Sequence, residues 1–534
     1  MALTRRQVLK SALAISISAC LPGCRFNESQ HADVALDSAA EPLLEQQLQA
    51  LSQFQQPSSD ALQAWWQAAD RIVAATAAVV IPQRRWNLVS LGVRPTLTEP
   101  CTEAQAVDAA QSLHLARINR GALQQAIDEL HTQGGGQLIL PAGHYWCGAL
   151  TLKSRVALVL EQGAYLQFHP ATDLYLPLVF TRWEGMELMG YQPLLYAIDS
   201  QDIAVTGQGI IDGGGSNQHW WPWKGKWKHT PWQVDAKAEQ KDGRTLLMTM
   251  VEQGVPVQDR VLPQNFLRPP LWQPYRCQRV EMSGLTLRNS PFWVLNPVLC
   301  QDVVVRSVNV NSHGPNSDGC DPESCKRVLI EHCNFDCGDD CIALKSGRNA
   351  DGRRLNAPIE QVVIQHCQMQ AGHGGVVIGS EISGGARYIF ARDLTMSSPD
   401  LERGLRIKTN ALRGGRIDTV ALRDIDIGQV KDAIVIDYWY EEGNQGAFLP
   451  QTGPVWLHQV NVRHGEHAFQ VRGFVQAPVR QLWLSQVAFT DAAPGVIEHV
   501  AQLQMQQVTR AGQPWQLPSS VAAMLDAALQ DAGK

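Results

Sequence analysis

An eight-residue pattern, apolar at its first, third, sixth and eighth positions, recurs through the second half of the chain. It starts at Val280, Val303, Val328, Val362, Ile389, Val420, Val455 and Leu482. The spacing lacks the 3.6-residue period of an amphipathic helix and fits two short strands with a two-residue bend between them. The steps between starts are 23, 25, 34, 27, 31, 35 and 27 residues. A step of about 23 residues is one turn of a parallel β-helix, and a longer step is the same turn with a loop inserted. The chain is therefore predicted to be all-β, a solenoid that reaches 534 residues by adding coils rather than domains.

The cysteines follow the same register. Cys277, Cys300 and Cys325 each lie three residues before a repeat start, and Cys333 and Cys367 take the sixth, apolar position. Neighbouring coils would stack them about 4.8 Å apart, a spacing that fits a ladder of small inward side chains and also permits a disulfide.

Residues 1–24 read as an export signal, with Thr4-Arg5-Arg6-Gln7-Val8-Leu9-Lys10 before a mild apolar run from Ser11 to Ala19. The paired arginines suggest the twin-arginine route. Cys20 and Cys24 each close a triplet like the bacterial lipoprotein box, so either would carry a lipid anchor. The expected destination is the periplasm, the outer membrane of a Gram-negative bacterium, or the medium. Residues 25–85 are rich in helix formers and are predicted to form one or two helices capping the end of the solenoid. The β-helix is expected over 86–505, with an insertion at 214–275 and a tail at 506–534. Forty-five Lys and Arg against 51 Asp and Glu exclude the basic excess of a nucleic-acid binder.

The polar residues fall at one edge of the repeat. Asn316-Ser317-Asp318-Gly319, Gly338-Asp339-Asp340, Gly372-His373-Gly374, Arg406-Ile407-Lys408 and Tyr440 each follow the strand pair of their own coil. Stacking would bring them into one stripe carrying three carboxylates, a histidine, an arginine, a lysine and a tyrosine. Glycoside hydrolysis needs a protonated carboxylic acid for the leaving oxygen and a carboxylate that activates water or attacks. Carboxylates crowded together cannot all ionise, so one pKa rises. The Arg and Lys suggest an anionic sugar.

This ordered set resembles the signature of the polygalacturonases, glycoside hydrolase family 28. The resemblance spans roughly residues 86–490 and includes Gly207-Gln208-Gly209-Ile210-Ile211-Asp212-Gly213, Asp339-Asp340-Cys341-Ile342-Ala343-Leu344-Lys345-Ser346-Gly347 and Gly379-Ser380-Glu381-Ile382-Ser383-Gly384-Gly385. It implies a right-handed parallel β-helix and an inverting hydrolysis of α-1,4-galacturonan with no metal and no cofactor. By position, Asp339 resembles the general acid and Asp318 with Asp340 the pair that activates water. His373 would support the acid, and Asn316, Arg406, Lys408 and Tyr440 would bind substrate. Tyr438 competes with Tyr440 for the tyrosine position. Ser317 stands where the family more often has threonine. The implied partner is polygalacturonate or an oligogalacturonide, with no obligate protein partner.

The step from Ile203 to Val280 is 77 residues and holds five of the 16 tryptophans within 13 residues, from Trp220 to Trp232. These rings are expected either to form the core of a loop or to wall off one end of a cleft, with lysines nearby for an acidic polymer. A wall would favour attack at a chain end, and the resemblance is strongest to bacterial exo-acting members. The rival readings are an endo-acting enzyme, a hydrolase of another pectic backbone such as rhamnogalacturonan, a calcium-dependent pectate lyase, and a non-catalytic carbohydrate-binding β-helix.

Overall fold

The computed structural model describes residues 40–105, 107–225, 239–263 and 266–515. The expected export segment, and Trp227 and Trp232 of the insertion, lie outside the described residues.

Every repeat start stacks on the next. Val280 pairs in parallel with Val303, and the ladder continues through Val328, Val362, Ile389, Val420, Val455 and Leu482. Upstream it runs back through Ile203 and Val156. The eighth positions form a second ladder through Leu287, Val310, Phe335, Met369, Met396, Ile427, Val462 and Phe489. The result is a right-handed parallel β-helix. The four apolar positions of each repeat point inward: Val280, Met282, Leu285 and Leu287 are all fully buried.

The bend between the two strands has a specific cause. The fifth residue of the repeat takes left-handed backbone in coil after coil, at Gly284, Ser307, His332, His366, Asp393 and Asp424. Glycine, Asp and His are among the residues that tolerate this conformation best. The sequence pattern predicts two strands per coil, and the structure adds a third. Strands Ile342–Leu344, Val376–Gly379 and Arg403–Lys408 form this third ladder, which passes on to the end of Arg416–Asp437.

The ten described cysteines are buried and unpaired. Cys277 N–H points at Cys300 Sγ and Cys300 N–H at Cys325 Sγ, both at 3.4 Å, so the ladder is a stack of thiols.

The helices depart from expectation. A 24-residue helix, Ala109–Thr132, lies inside the segment expected to be pure β-helix. Asp108 caps it by accepting from the N–H groups of Ala110 and Gln111, and it buries Leu123, Ile127 and Leu130 on the first coils. Helices Ala40–Ala50 and Ser59–Ala75, expected to cap the end, instead lie along the flank. They pack on Leu329, Val363, Phe390, Ala421, Trp456 and Trp483, the outward second positions of six consecutive repeats. An outward apolar column cannot face water over that length, and the helices cover it. The stack also runs past residue 505, since Thr509–Arg510 adds a rung on Ala488 and Phe489 and Trp515 packs on Phe469 and Phe489. The coil resumes after the insertion at Trp272, which pairs with Leu195, four residues before the expected boundary.

Candidate active site

The third strand of each coil and the turn before it carry the functional side chains. Asp339 and Asp340 precede Ile342–Leu344, His373 precedes Val376–Gly379, and Arg406 and Lys408 lie on Arg403–Lys408. Lys408 pairs with Gly379 across the ladder and Arg406 with Val377, which sets both cations one coil beyond His373. Close coil approach needs glycine at 372. Its φ is +155°, and a Cβ there would sit 2.7 Å from the carbonyl oxygen of Asp339. That approach lets His373 N–H donate to the same carbonyl at 3.0 Å.

One oxygen from each of Asp318, Asp339 and Asp340 lies within 4.8 Å of the others. Asp340 is fully buried and held by Lys408 Nζ at 2.6 Å and Arg406 Nη1 at 3.2 Å. Burial pushes its pKa up, but Lys408 and then Arg406 outweigh that and hold the carboxyl well below the ordinary range. Asp339 Oδ1 meets His373 Nδ1 at 2.9 Å. Burial again raises the Asp339 pKa, the histidine outweighs it, and the net shift is downward. The same contact raises His373, with Asp339 the largest cause and burial opposing. Asp318 goes the other way: burial first, then Asp321 beside it, push its carboxyl well above the usual carboxylate value.

The shifts therefore favour a proton in two places, on the Asp318–Asp321 pair and in the Asp339–His373 pair. This differs from a simple resting acid at Asp339. The opposed shifts within that pair favour the proton on the imidazole, and the pair titrates as a unit.

Asn316 and Tyr440 line the same cleft as Asp318 and Asp339. Asn316 Oδ1 accepts from buried Arg268 at 2.7 Å. The Tyr440 ring lies 5.6 Å from the Arg406 guanidinium carbon and 5.3 Å from Lys408 Nζ. Its competitor Tyr438 is buried in the core against Phe474. Ser317, the departure from threonine, is buried with its hydroxyl 3.0 Å from that of Ser312.

Three charged residues escaped the sequence reading. Lys345 Nζ lies 3.8 Å from Asp318, 3.4 Å from Asp321 and 3.3 Å from Glu381. It also sits 4.5 Å from the centre of the Trp293 ring. Asp321 follows Asp318 by three residues, and Lys345 and Glu381 sit inside motifs already singled out. The available signal for Lys345 was a charge directly after the apolar run Ile342-Ala343-Leu344, because a charge carried into a buried segment must be paired.

These groups open into a cleft of about 440 Å³ lined by Asp318, Asp339, Lys345, Glu381, Lys408 and Tyr440. Its opposite wall is the insertion: Lys224, Glu239, Gln240, Lys241 and Arg244, with Glu184 from the hairpin Val179–Gly190. The described insertion tryptophans do not form the exposed wall that the sequence allowed. Trp220 is buried against Tyr175 at 5.1 Å and Trp223 at 4.8 Å, and Trp223 meets Phe266 at 5.2 Å. Trp221 donates to Ser290 O at 2.9 Å and lies so close over Gly314 that a Cβ there would be 2.2 Å from its Nε1. The rings anchor the loop, and charged residues face the cleft.

Known proteins resemble the chain in sequence and in fold. The model of the family described as glycosyl hydrolases family 28 matches residues 267–466. Among solved structures, the chain is similar to a hyperthermoactive exopolygalacturonase from Thermotoga maritima. That likeness has a TM-score of 0.74 and 35% identity over 84% of this chain and 96% of that one. It is 28% identical over 394 residues to a Vitis vinifera protein named "Probable polygalacturonase", covering 70% of this chain and 72% of that one. It is 24% identical over 445 residues to an exo-poly-alpha-D-galacturonosidase from Dickeya chrysanthemi, covering 74% and 70%.

Proposed function

The chain belongs to glycosyl hydrolase family 28 and is a glycoside hydrolase, and from that premise we propose that it hydrolyses α-1,4-galacturonosyl linkages in polygalacturonate from the chain end. The observation that carries the chain-end reading is the shared cleft: insertion residues Lys224 and Arg244 line the same space as Asp318 and Asp339. A polymer threaded through would meet the insertion, whereas a terminal sugar fits. The exo-type names among its relatives support the same reading.

In the proposed reaction Asp339 protonates the leaving glycosidic oxygen, drawing on the proton it shares with His373. Asp340, ionised against Lys408 and Arg406, and Asp318 hold and activate the attacking water. Arg406, Lys408 and Tyr440 seat a galacturonate ring, its carboxylate sharing the two cations with Asp340. Asn316 lines the same subsite. The high pKa of Asp318 favours a second reading, in which Asp318 rather than Asp339 is the proton donor. Under that reading Asp318→Asn, not Asp339→Asn, makes the rate steeply dependent on leaving-group basicity, because only the better leaving groups depart without a proton.

The trio's oxygens lie closer than the roughly 6.5–9.5 Å between acid and base in most inverting glycosidases. Stereochemistry is accordingly the test. Proton NMR of trigalacturonate hydrolysis should show the β-anomer first, followed by mutarotation. Initial α-anomer would overturn the inverting mechanism. An unsaturated product absorbing in the ultraviolet would identify a lyase instead.

Export and lipidation through Cys20 or Cys24 complete the proposal. Fractionating cells that carry Cys20→Ser and Cys24→Ser tests it: the substitution at the lipidated cysteine should release the enzyme from membranes, and release by neither would remove the anchor.

A further inference from the structure

Lys224 sits at the last position of the short helix Trp221–Lys224 and lines the cleft from the insertion side. The aromatic cluster of Trp220, Trp221 and Trp223 fixes this turn to Tyr175, Ser290 and Phe266, so its place in the wall is set by packing. Of the other cations on this wall and behind it, Lys241 is exposed to solvent and the more buried arginines are committed. Arg244 binds Glu184 at 2.6 Å, Arg348 shares that carboxylate at 3.1 Å, and Arg268 is spent on Asn316 and two backbone carbonyls. Among the described residues, Lys224 has neither a hydrogen-bond nor an ion-pair partner. It is only half-exposed. Burial, and then the neighbouring Arg268, push its pKa below the ordinary lysine value, while Glu184 and Asp339 across the cleft pull the other way. A cation partly withdrawn from water and without a direct ion pair is a site that an incoming anion relieves.

We infer that Lys224 is a specificity residue that binds the carboxylate of a second galacturonate, seated on the insertion side of the scissile bond and facing the ring held by Arg406 and Lys408. The inference rests on the galacturonan reading and extends it, since it makes the enzyme read two uronate charges, one on each wall. Selection for an unesterified sugar at the insertion-side subsite follows, because a methyl ester removes the anion that Lys224 awaits.

The test uses full-length enzyme and the three trigalacturonate monoesters, methylated on the non-reducing, the middle or the reducing sugar, because the middle sugar flanks whichever bond is cut. Wild-type enzyme should discriminate against the two monoesters whose ester lies beside the cleaved bond, each through KM. Lys224→Gln should raise KM for unesterified trigalacturonate about 10- to 100-fold, the range expected for one charge-assisted hydrogen bond, with kcat little changed. It should also abolish discrimination against one of these two monoesters while leaving discrimination against the other. Lys224→Arg should restore much of the lost selectivity, which separates charge recognition from damage to the loop. Equal loss on the free acid and both of these monoesters, or no change in KM, would overturn the assignment of Lys224. If wild-type enzyme fails to cleave trigalacturonate, the galacturonan reading falls first, and that result is separate from the behaviour of the variant.

Discussion

The two long outer surfaces of the coil stack share one set of ladders and treat charge in opposite ways. On the flank, the residue after each repeat start points outward and is apolar, and helix Ser59–Ala75 buries the column with Trp65 at its centre, 5.4 Å from Trp456 and 5.9 Å from Trp483. On the cleft edge, the outward positions are Asp340, Lys345, Glu381 and Lys408, all buried or nearly so and compensated by one another. The inward positions are alike on both surfaces. Core periodicity thus sets the fold, and the outward column of each ladder decides whether that surface becomes a docking seam or a chemical site. The flank gains stability by removing apolar area from water. The edge holds charges that favour function over stability, since buried ion pairs contribute little net stabilisation.

If this division is right, substitutions on the two surfaces should separate activity from stability. The largest effect expected is at the edge. Asp339→Asn should lower kcat by at least about 10²–10⁴-fold, the usual contribution of a general acid, with the melting temperature little changed. Steady-state rates on polygalacturonate check this, and a variant retaining a tenth of the wild-type rate would remove Asp339 from the role. Next comes the flank. Trp65→Ala should cost about 3–5 kcal/mol of stability by emptying a buried ring site, while kcat of the folded enzyme stays at the wild-type value. Denaturant unfolding followed alongside activity would expose any coupling between helices and site.

A smaller effect is expected for the clamp. Lys408→Ala should weaken binding of unesterified galacturonate by about 10- to 100-fold and affect the methyl ester much less. It also leaves Asp340 less compensated, so a stability loss should accompany it, unlike Asp339→Asn. The smallest effect concerns pH. His373 is raised above its unfolded value and Asp339 is lowered below its own. The histidine's contribution to stability is complete below its unfolded pKa, about 6.5, and disappears as pH rises through the raised value. The aspartate's is present above its unfolded pKa and disappears as pH falls through the lowered one. Melting temperatures of wild type and His373→Asn should therefore differ most between these limits and converge on the alkaline side. In parallel, kcat/KM should fall as pH rises through the raised histidine value, because the pair then holds no proton to donate.

The register was readable because a stacked coil repeats the same inward choice at fixed positions; Val303 and Val328 pair where the pattern places them. The site stripe was readable for the same reason, since Asp339, His373 and Arg406 occupy successive coils. Where the N-terminal helices dock was not taken from the sequence. Their composition specifies helix, but the surface they cover is specified by other residues, the apolar column Leu329, Val363, Phe390, Ala421, Trp456 and Trp483, which alternation alone assigns to solvent. That column was the missed signal. Helix Ala109–Thr132 was missed because it lies between β segments and its apolar stripe is narrow, with Asn119 and Ser112 among its buried residues. Protonation at the edge could not come from spacing. It depends on Lys408 contacting Asp340 while Asp318 meets Asp321, pairings that exist only once the coils are stacked.

The most direct test of the account is the size of the products released from long polygalacturonate in the first minutes, resolved by anion-exchange chromatography. A cleft closed on one side by the insertion should release mono- or digalacturonate alone, with the polymer losing viscosity slowly. A ladder of mixed oligomers at early times, with a rapid fall in viscosity, would contradict it.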